Sequence, residues 1–412
     1  MKLTIHRGTR EIGGSCIELQ SNHSRILIDY GLPLPQSEKE STEDTLIDIK
    51  GLYAGERSSF DAILLSHPHL DHYGLFSHIN AEIPVYLSAG CHEIIKIAYY
   101  FGQSSCLLEN VKLVKAWEQF TIGDLEITPY LADHSGFDAL SYLIKSGDKK
   151  LFYSGDFRGH GRKSVVFDKL IENPPKDVDC LILEGTMIGR DEEECQKEED
   201  IEETLVNYFK DSDSLYFIAT SSQNIDRLVS IYRACVRSGR IFVIDPYTAY
   251  ILDKLKTISS NIPQFNWGNN IRIFFVPNSY TEKMAKDKSL FKYVSAKISV
   301  DDMIGIKDKI VVKDTYLTRR IFAKKKLMKN SRLIFSMWSG YLPAVERFWK
   351  KQNVPILNIH TSGHASIVEL KRLVEALKPK TIIPNHTLYP DRFEEFFGAC
   401  VRCLNDGESI NI

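Results

Sequence analysis

Short apolar runs that close on polar, chemically capable residues dominate the first 188 residues of the chain. RILIDYG (25–31), DAILLSH (61–67), VYLS (85–88), LEITPYL (125–131), LSYLIKSG (140–147), KKLFYSGD (149–156) and DCLILEG (179–185) all follow this pattern. Each has the length and the turn-rich borders of a strand, and such continuous apolar runs predict strands buried on both faces. The polar residues that close them are expected to gather along one edge of a sheet, where layered folds place their chemistry.

The pattern changes between about 189 and 331. IEETLVNYFK, SLYFIATSS, NIDRLVSIYRACVRSG and RIFVIDP read as helix, strand, helix, strand. That alternation predicts an α/β unit built on a parallel sheet. After 332 the first style returns, with RLIFSM, VPILNIHTSGH, the helix IVELKRLVEAL and KTIIPNHT. The expected organisation is therefore a domain in two parts, 1–188 and 332–412, interrupted by an α/β insert over 189–331.

A chain of 412 residues has room for both cores. Its 43% hydrophobic and 26% charged residues are those of an ordinary globular protein, and no apolar run approaches the length of a membrane span. The N-terminal residues lack a secretory pattern, so a cytoplasmic location is the expectation. Eight cysteines without framework spacing read as reduced thiols. Cys400 and Cys403 are expected on consecutive turns of a terminal helix. A net charge of -2 does not point to a polyanion partner, but its distribution is uneven. Residues 191–203 are strongly acidic and residues 307–332 strongly basic, which leaves a nucleic-acid role open for the basic stretch.

The densest chemistry lies in SHPHLDH (66–72), where His67, His69, Asp71 and His72 form an H-x-H-x-D-H loop directly after a strand. Imidazole and carboxylate are the ligands that zinc and its neighbours take in hydrolytic sites. Two histidines one residue apart in a turn can share one ion, and the Asp-His pair that follows can turn to a second. His134 in DHSG, Asp156 in YSGDFR and His386 in IPNHT close three further strands. Each alone reads as an ordinary core or surface residue; their joint placement after strand ends points to a shared site.

These motifs resemble the metallo-β-lactamase superfamily. LIDYG (27–31), SHPHLDHYG (66–74), DHS (133–135) and SGD (154–156) follow its successive motifs in order. The resemblance implies an αββα sandwich with two divalent ions, zinc foremost and manganese as the alternative. It implies His67, His69 and His134 on one ion, Asp71, His72 and His386 on the other, Asp156 between them, and Asp29 as the carboxylate that orients the histidine loop. A narrower resemblance reaches the β-CASP nucleases, which include ribonuclease J and the cleavage and polyadenylation nucleases. LILEGT (181–186), ATSSQNIDRL (219–228), HTSGHAS (360–366) and IPNHT (383–387) carry it. The insert is then expected to be a β-CASP domain on a parallel sheet. Ribonuclease J carries a further domain after this module, and this chain is too short for one.

The family pattern implies phosphodiester hydrolysis by a two-metal hydroxide mechanism, with RNA favoured over DNA because of His386. Asp71, His364 and Glu184 are the candidate catalytic residues, with Glu184 orienting the His364 ring. Ser362, Gly363 and His364 are the candidate substrate contacts, and Arg158 and Trp338 are candidates to line a groove. The competing readings are a DNA nuclease of the same fold, a small-molecule metallohydrolase, and a nucleic-acid-binding protein without activity. The second does not explain the insert or the SGH segment; the third does not explain a complete ligand set. Neither oligomeric state nor the point of attack along a strand is legible.

Overall fold

A computed structural model describes residues 1–34, 45–190, 195–210 and 213–412. The chain divides into two compact units, residues 1–195 with 363–412, and residues 196–362.

The first unit holds two sheets. One contains β1 (Lys2–Arg7), β2 (Cys16–Gln20), β3 (Arg25–Tyr30), β4 (Ala62–Leu64), β5 (Val85–Ser88) and β6 (Val111–Val114) in sequence order. The other contains β7 (Phe120–Ile122), β8 (Leu125–Leu131), β9 (Leu140–Ser146), β10 (Lys149–Tyr153) and β11 (Cys180–Glu184). In the second unit the strands are β12 (Leu215–Ala219), β13 (Ile241–Ile244), β14 (Ile271–Phe274), β15 (Lys297–Ile298), β16 (Ile310–Lys313), β17 (Ser331–Phe335) and β18 (Ile356–Asn358). On return to the first unit, β19 (Thr381–Asn385) pairs with β11, and β20 (Glu408–Asn411) pairs with β1.

The two sheets of the first unit pack face to face. Ile5, Ile17, Ile28 and Leu64 from one meet Ile127, Tyr142, Tyr153 and Ile182 from the other in a single buried cluster. Helix Ala89–Tyr100 covers the outer face of the first sheet through Cys91 and Ile95. Helices Ser164–Glu172 and Ile367–Leu377 cover the outer face of the second through Phe167, Leu370 and Leu373. This is the expected αββα sandwich. Burial is two-sided in β3 and β11, while β8 alternates as a half-exposed strand does.

Strand direction collects the chemistry. β3 and β4 are parallel, as are β10, β11 and β19, and β8 runs the same way as β10 because both are antiparallel to β9. Their C-terminal ends therefore share one edge of the sandwich. Tyr142 Oη donates to Leu65 O at 2.8 Å and Leu140 N donates to Ser66 O at 2.8 Å, tying the two sheets together there.

The second unit is an all-parallel sheet in the order β15-β14-β13-β16-β12-β17-β18. Its extent corrects the boundary expected at 331. β17 pairs with β12 along five residues and β18 pairs with β17, so the insert continues to Ser362. RLIFSM resembled the strands of the first domain because a central parallel strand is buried on both faces wherever it occurs. On the N-terminal side the unit opens at Gln196, not 189. Of the acidic run 191–203, positions 191–194 lie outside the described residues, and Glu198 onward forms the start of helix Glu198–Lys210.

Cys400 and Cys403 are not on consecutive turns of one helix: Cys400 ends the short 3-10 turn Gly398–Cys400, and Cys403 lies beyond it. Helix Phe393–Phe397 stops at Gly398, whose φ of 74° breaks the spiral, and the chain then runs on to β20. Among the described residues, no helix is long and apolar enough to cross a membrane.

Candidate metal centre

The histidine loop begins where β4 ends. Its first residues cannot pair onward as a strand because Asp29, at the end of β3, takes their donors. Asp29 Oδ1 accepts from Ser66 N at 2.8 Å, and Oδ2 accepts from Ser66 Oγ at 2.7 Å, Tyr153 Oη at 2.7 Å and His72 Nδ1 at 2.8 Å. The Asp29 backbone sits at φ 55°, in the left-handed region that aspartate tolerates better than most residues. Fully buried, this carboxylate sets the tautomer of His72: Nδ1 carries the proton toward Asp29 and Nε2 is left to face the site.

His67 Nε2, His69 Nδ1 and His134 Nε2 converge, with separations of 3.1 Å between the first two and 3.2 Å between the last two. Burial pushes all three rings below the ordinary histidine range, so they are held neutral. His134 is oriented by its other nitrogen, which donates to Gly363 O at 2.6 Å. A second grouping brings Asp71, His72 and His386 together, with His386 Nε2 3.2 Å from Asp71 Oδ2. His386 Nδ1 is held by Thr186 Oγ1 at 2.8 Å, and its backbone nitrogen donates to Gly8 O at 2.7 Å, at a φ of 53°.

Asp156, after β10, stands between these groups. Its Oδ2 is 3.2 Å from His72 Nε2, 3.6 Å from His67 Nε2 and 4.0 Å from His134 Nε2, and its Oδ1 is 3.8 Å from His386 Nδ1. Burial would raise the Asp156 carboxyl, but the surrounding imidazoles His386 and His72 win and hold it well below the usual carboxylate range. Burial likewise opposes charge on His72, yet Asp156 and Asp29 together raise it well above the ordinary histidine value.

Two atoms test whether cations fit. Among the described residues, His72 Nε2 and Asp156 Oδ2 are buried without a hydrogen-bond partner, an arrangement costing about 1–3 kcal/mol for each group. Both point at the same place as the neutral His67 nitrogen, and these three donors form one ligand-capable grouping. A divalent ion that takes the place of the second ring proton satisfies the His72 nitrogen and the ionised carboxylate together, so the residues fit a divalent cation.

Glu184, the last residue of β11, lies beside this centre. Its Oε1 accepts from Phe157 N at 3.0 Å, and its Oε2 lies 3.1 Å from His364 Nδ1. His364 Nδ1 is also 3.6 Å from Asp156 Oδ2. Burial works against a charged His364 ring, but Glu184 and Asp156 raise it above the ordinary value, so the ring is poised to carry a proton. Gly363 packs so closely that an added Cβ would lie 2.5 Å from Ser135 Oγ. Ser362 is half-buried at the end of the second unit.

Arg158 does not line a groove: it is 1% exposed, and its Nε lies 3.5 Å from Asp133 Oδ1, which supports the residue before His134. His160, given no role from sequence, donates from Nδ1 to Glu369 at 3.0 Å, and Glu369 also accepts from Gly159 N and Ser366 N, each at 2.8 Å. This carboxylate thus ties the loop after Asp156 to the helix that follows His364. A capping box, Ser366-x-x-Glu369, was the available signal. Trp338 is exposed, as its candidate role requires.

Comparison with known proteins agrees with this geometry. Residues 44–207 match a β-lactamase superfamily domain, and residues 354–393 match a Zn-dependent metallo-hydrolase RNA specificity domain. Parts of the chain are thus similar to the metallo-β-lactamase superfamily. The parallel-sheet unit lies mostly between these two matched segments. Transcription termination factor FttA of Methanothermobacter thermautotrophicus is 25% identical over 61% of this chain and 42% of its own length. Ribonuclease J of Sinorhizobium meliloti is 21% identical over 88% of this chain and 63% of its own. The chain thus spans about two-fifths to two-thirds of these relatives. A crystal structure of a protein of unknown function from Enterococcus faecalis V583 shares the fold, with a TM-score of 0.81, 20% identity and 99% coverage of both chains.

Proposed function

We propose that the protein is a metal-dependent phosphodiesterase that cleaves RNA. In this reading His67, His69 and His134 hold one divalent ion and Asp71, His72 and His386 hold a second, with Asp156 serving both. Zinc is the favoured metal and manganese is acceptable, because imidazole and carboxylate ligands suit both. Bound there, the ions supply Lewis acidity: a nucleophile drawn from water at neutral pH and positive charge for the phosphate.

The chain's own residues do the remainder. Asp29 fixes the rotation of His72, and Gly363 O does the same for His134, so the donors are organised before substrate arrives. Glu184 and Asp156 hold His364 by Nδ1 and favour its protonated ring, and the opposite nitrogen, Nε2, donates its proton to the departing oxygen of the phosphodiester. Ser362 and Gly363 are the candidate contacts to the adjoining phosphate. The observation that carries this reading is the Glu184–His364 pair, 3.1 Å apart, set against the carboxylate around which the metal donors converge. A metal centre alone would suit many hydrolases; a proton donor beside it suits an ester with a poor leaving group.

RNA is favoured over DNA by His386 and by the match of residues 354–393 to an RNA specificity domain. Eight free thiols agree with a cytoplasmic setting. The test is a panel of end-labelled RNA and DNA, single and double stranded, incubated with metal-loaded protein and read on a sequencing gel. Cleavage of RNA with the His364-dependent rate supports the proposal. Cleavage of DNA alone would overturn the substrate, and hydrolysis confined to small esters would overturn the activity.

A further inference from the structure

The basic stretch 307–332 takes no part in the metal centre, yet the fold gives it a definite place. β16, β12, β17 and β18 are adjacent and parallel, so the segments entering them lie on one edge of the second unit's sheet. Lys309 precedes β16, Lys325, Lys326 and Lys329 precede β17, and Lys350 and Lys351 precede β18. All are exposed. With strands about 4.8 Å apart, these three lysine-bearing segments span about 15 Å.

Among the described residues, acidic side chains do not balance this edge. Asp213, Asp308 and Glu346 lie near it, and among the described residues only Lys350 of the six lysines is ion-paired, to Glu346 at 2.6 Å. Lysines at helix C-termini are ordinary, since they oppose the helix dipole. That accounts for Lys350 and Lys351, which end helix Pro343–Lys351, and for Lys325 and Lys326, which follow helix Tyr316–Lys324, but not for Lys329, which lies beyond any helix. Lys326 adopts φ 58°, where glycine is the usual residue, so a charge is kept at a backbone cost.

The same edge is concave. A cleft of about 520 Å³ opens there, with Lys329, Arg332, Asn330, Gln352 and Asn353 among its lining residues. Asn330 is fixed in place: its O accepts from Leu215 N at 3.1 Å and its Nδ2 donates to Asp213 O at 3.2 Å. Cationic groups beside side-chain amides suit a strand that offers phosphates and unpaired base edges together.

We propose that this edge is a second contact for single-stranded RNA, separate from the residues that perform cleavage. The identity of the occupant rests on the RNA-cleaving reading above; the charge and the cleft do not. The surface holds a strand by its backbone through Lys325, Lys326 and Lys329, with the cleft accepting a nucleotide between Arg332 and the three amides.

The experiment measures anisotropy of a fluorescent single-stranded RNA, about 30 nucleotides long, against the full chain carrying Asp71→Ala to prevent cleavage. A triple Lys325→Gln, Lys326→Gln, Lys329→Gln variant is compared with a triple arginine variant across a salt series, with melting temperatures confirming the fold. The glutamine variant is expected to bind at least about tenfold more weakly at low salt, with its salt slope reduced by about 2, while the arginine variant binds as the parent does. Parental affinity and slope in the glutamine variant would overturn the proposal. Loss of binding to polyglutamate, with RNA binding unchanged, would also overturn it and assign the edge to an acidic protein. Because the RNA stays intact, the outcome is independent of activity: a chain that binds RNA through these lysines but cleaves none would defeat the proposed function and leave this surface standing.

Discussion

Asp29 Oδ2 holds His72 Nδ1 at 2.8 Å, and the opposite nitrogen of that ring ends 3.2 Å from Asp156 Oδ2. The position of a proposed ion ligand is therefore set by a residue that is not itself one of the proposed ligands. Asp29→Asn tests this directly, because asparagine keeps the shape and tolerates the left-handed backbone at φ 55°. Metal affinity is expected to fall about 10–100-fold, as measured by competition with a chelating dye, with little change in secondary structure. Unaltered affinity would show that the ring is held well enough by packing alone.

The Glu184–His364 pair gives a prediction that separates chemistry from metal binding. His364→Ala should lower kcat about 10²–10⁴-fold with bound metal per chain unchanged. Glu184→Gln should lower it less, because the ring remains but loses the charge that favours its protonated form. If either variant loses an equivalent of metal, the residue is a ligand; Asp156, Glu184, His364 and His386 do form one ligand-capable grouping.

Gly363 is a position where space decides. An alanine Cβ would lie 2.5 Å from Ser135 Oγ and 3.1 Å from Ser135 Cβ, forcing back the carbonyl that orients His134. Gly363→Ala is expected to lower kcat by at least about tenfold through this misplacement. Adding Ser135→Gly removes the clashing atoms and should restore most of the rate. No rescue in the double variant would mean that backbone freedom at Gly363, rather than contact with Ser135, is what matters.

Glu18 predicts a pH effect far from the centre. Burial would raise its carboxyl, but hydrogen bonds from His6 and Arg25 and the Arg25 charge prevail and hold it at about 2, against an ordinary 4.5. A folded value below the ordinary one means the stabilisation is complete above 4.5 and is lost as pH falls through about 2. It amounts to about 3 kcal/mol at most. In urea melts Glu18→Gln should therefore be destabilising at neutral pH and progressively less so toward pH 3. A constant difference across that range would assign the effect to packing.

Much of the centre was legible because its residues close strands. His67, His134, Asp156 and His386 each follow an apolar run, and parallel strands bring such ends to one edge whatever the intervening sequence. Family motifs then supplied the pairing of donors that spacing alone left open. The insert boundary was not legible, because RLIFSM in β17 has the same two-sided burial as strands of the first unit, and its membership depends on pairing with β12. Arg158 was misplaced because an arginine beside a motif reads as substrate-facing, whereas Asp133, distant in sequence, buries it. For His160 the sequence signal was indirect: the capping box marks Glu369, but the pairing spans 209 residues.

In the proposed mechanism two ions, held around Asp156, carry the hydrolysis of RNA. The most direct test is single-turnover cleavage of a 5′-labelled single-stranded RNA by metal-stripped protein reloaded with zinc or manganese, with bound metal per chain measured in the same samples. Little cleavage is expected at the first equivalent, with full rate only as the second binds. Full-rate cleavage with one equivalent or none would contradict this mechanism.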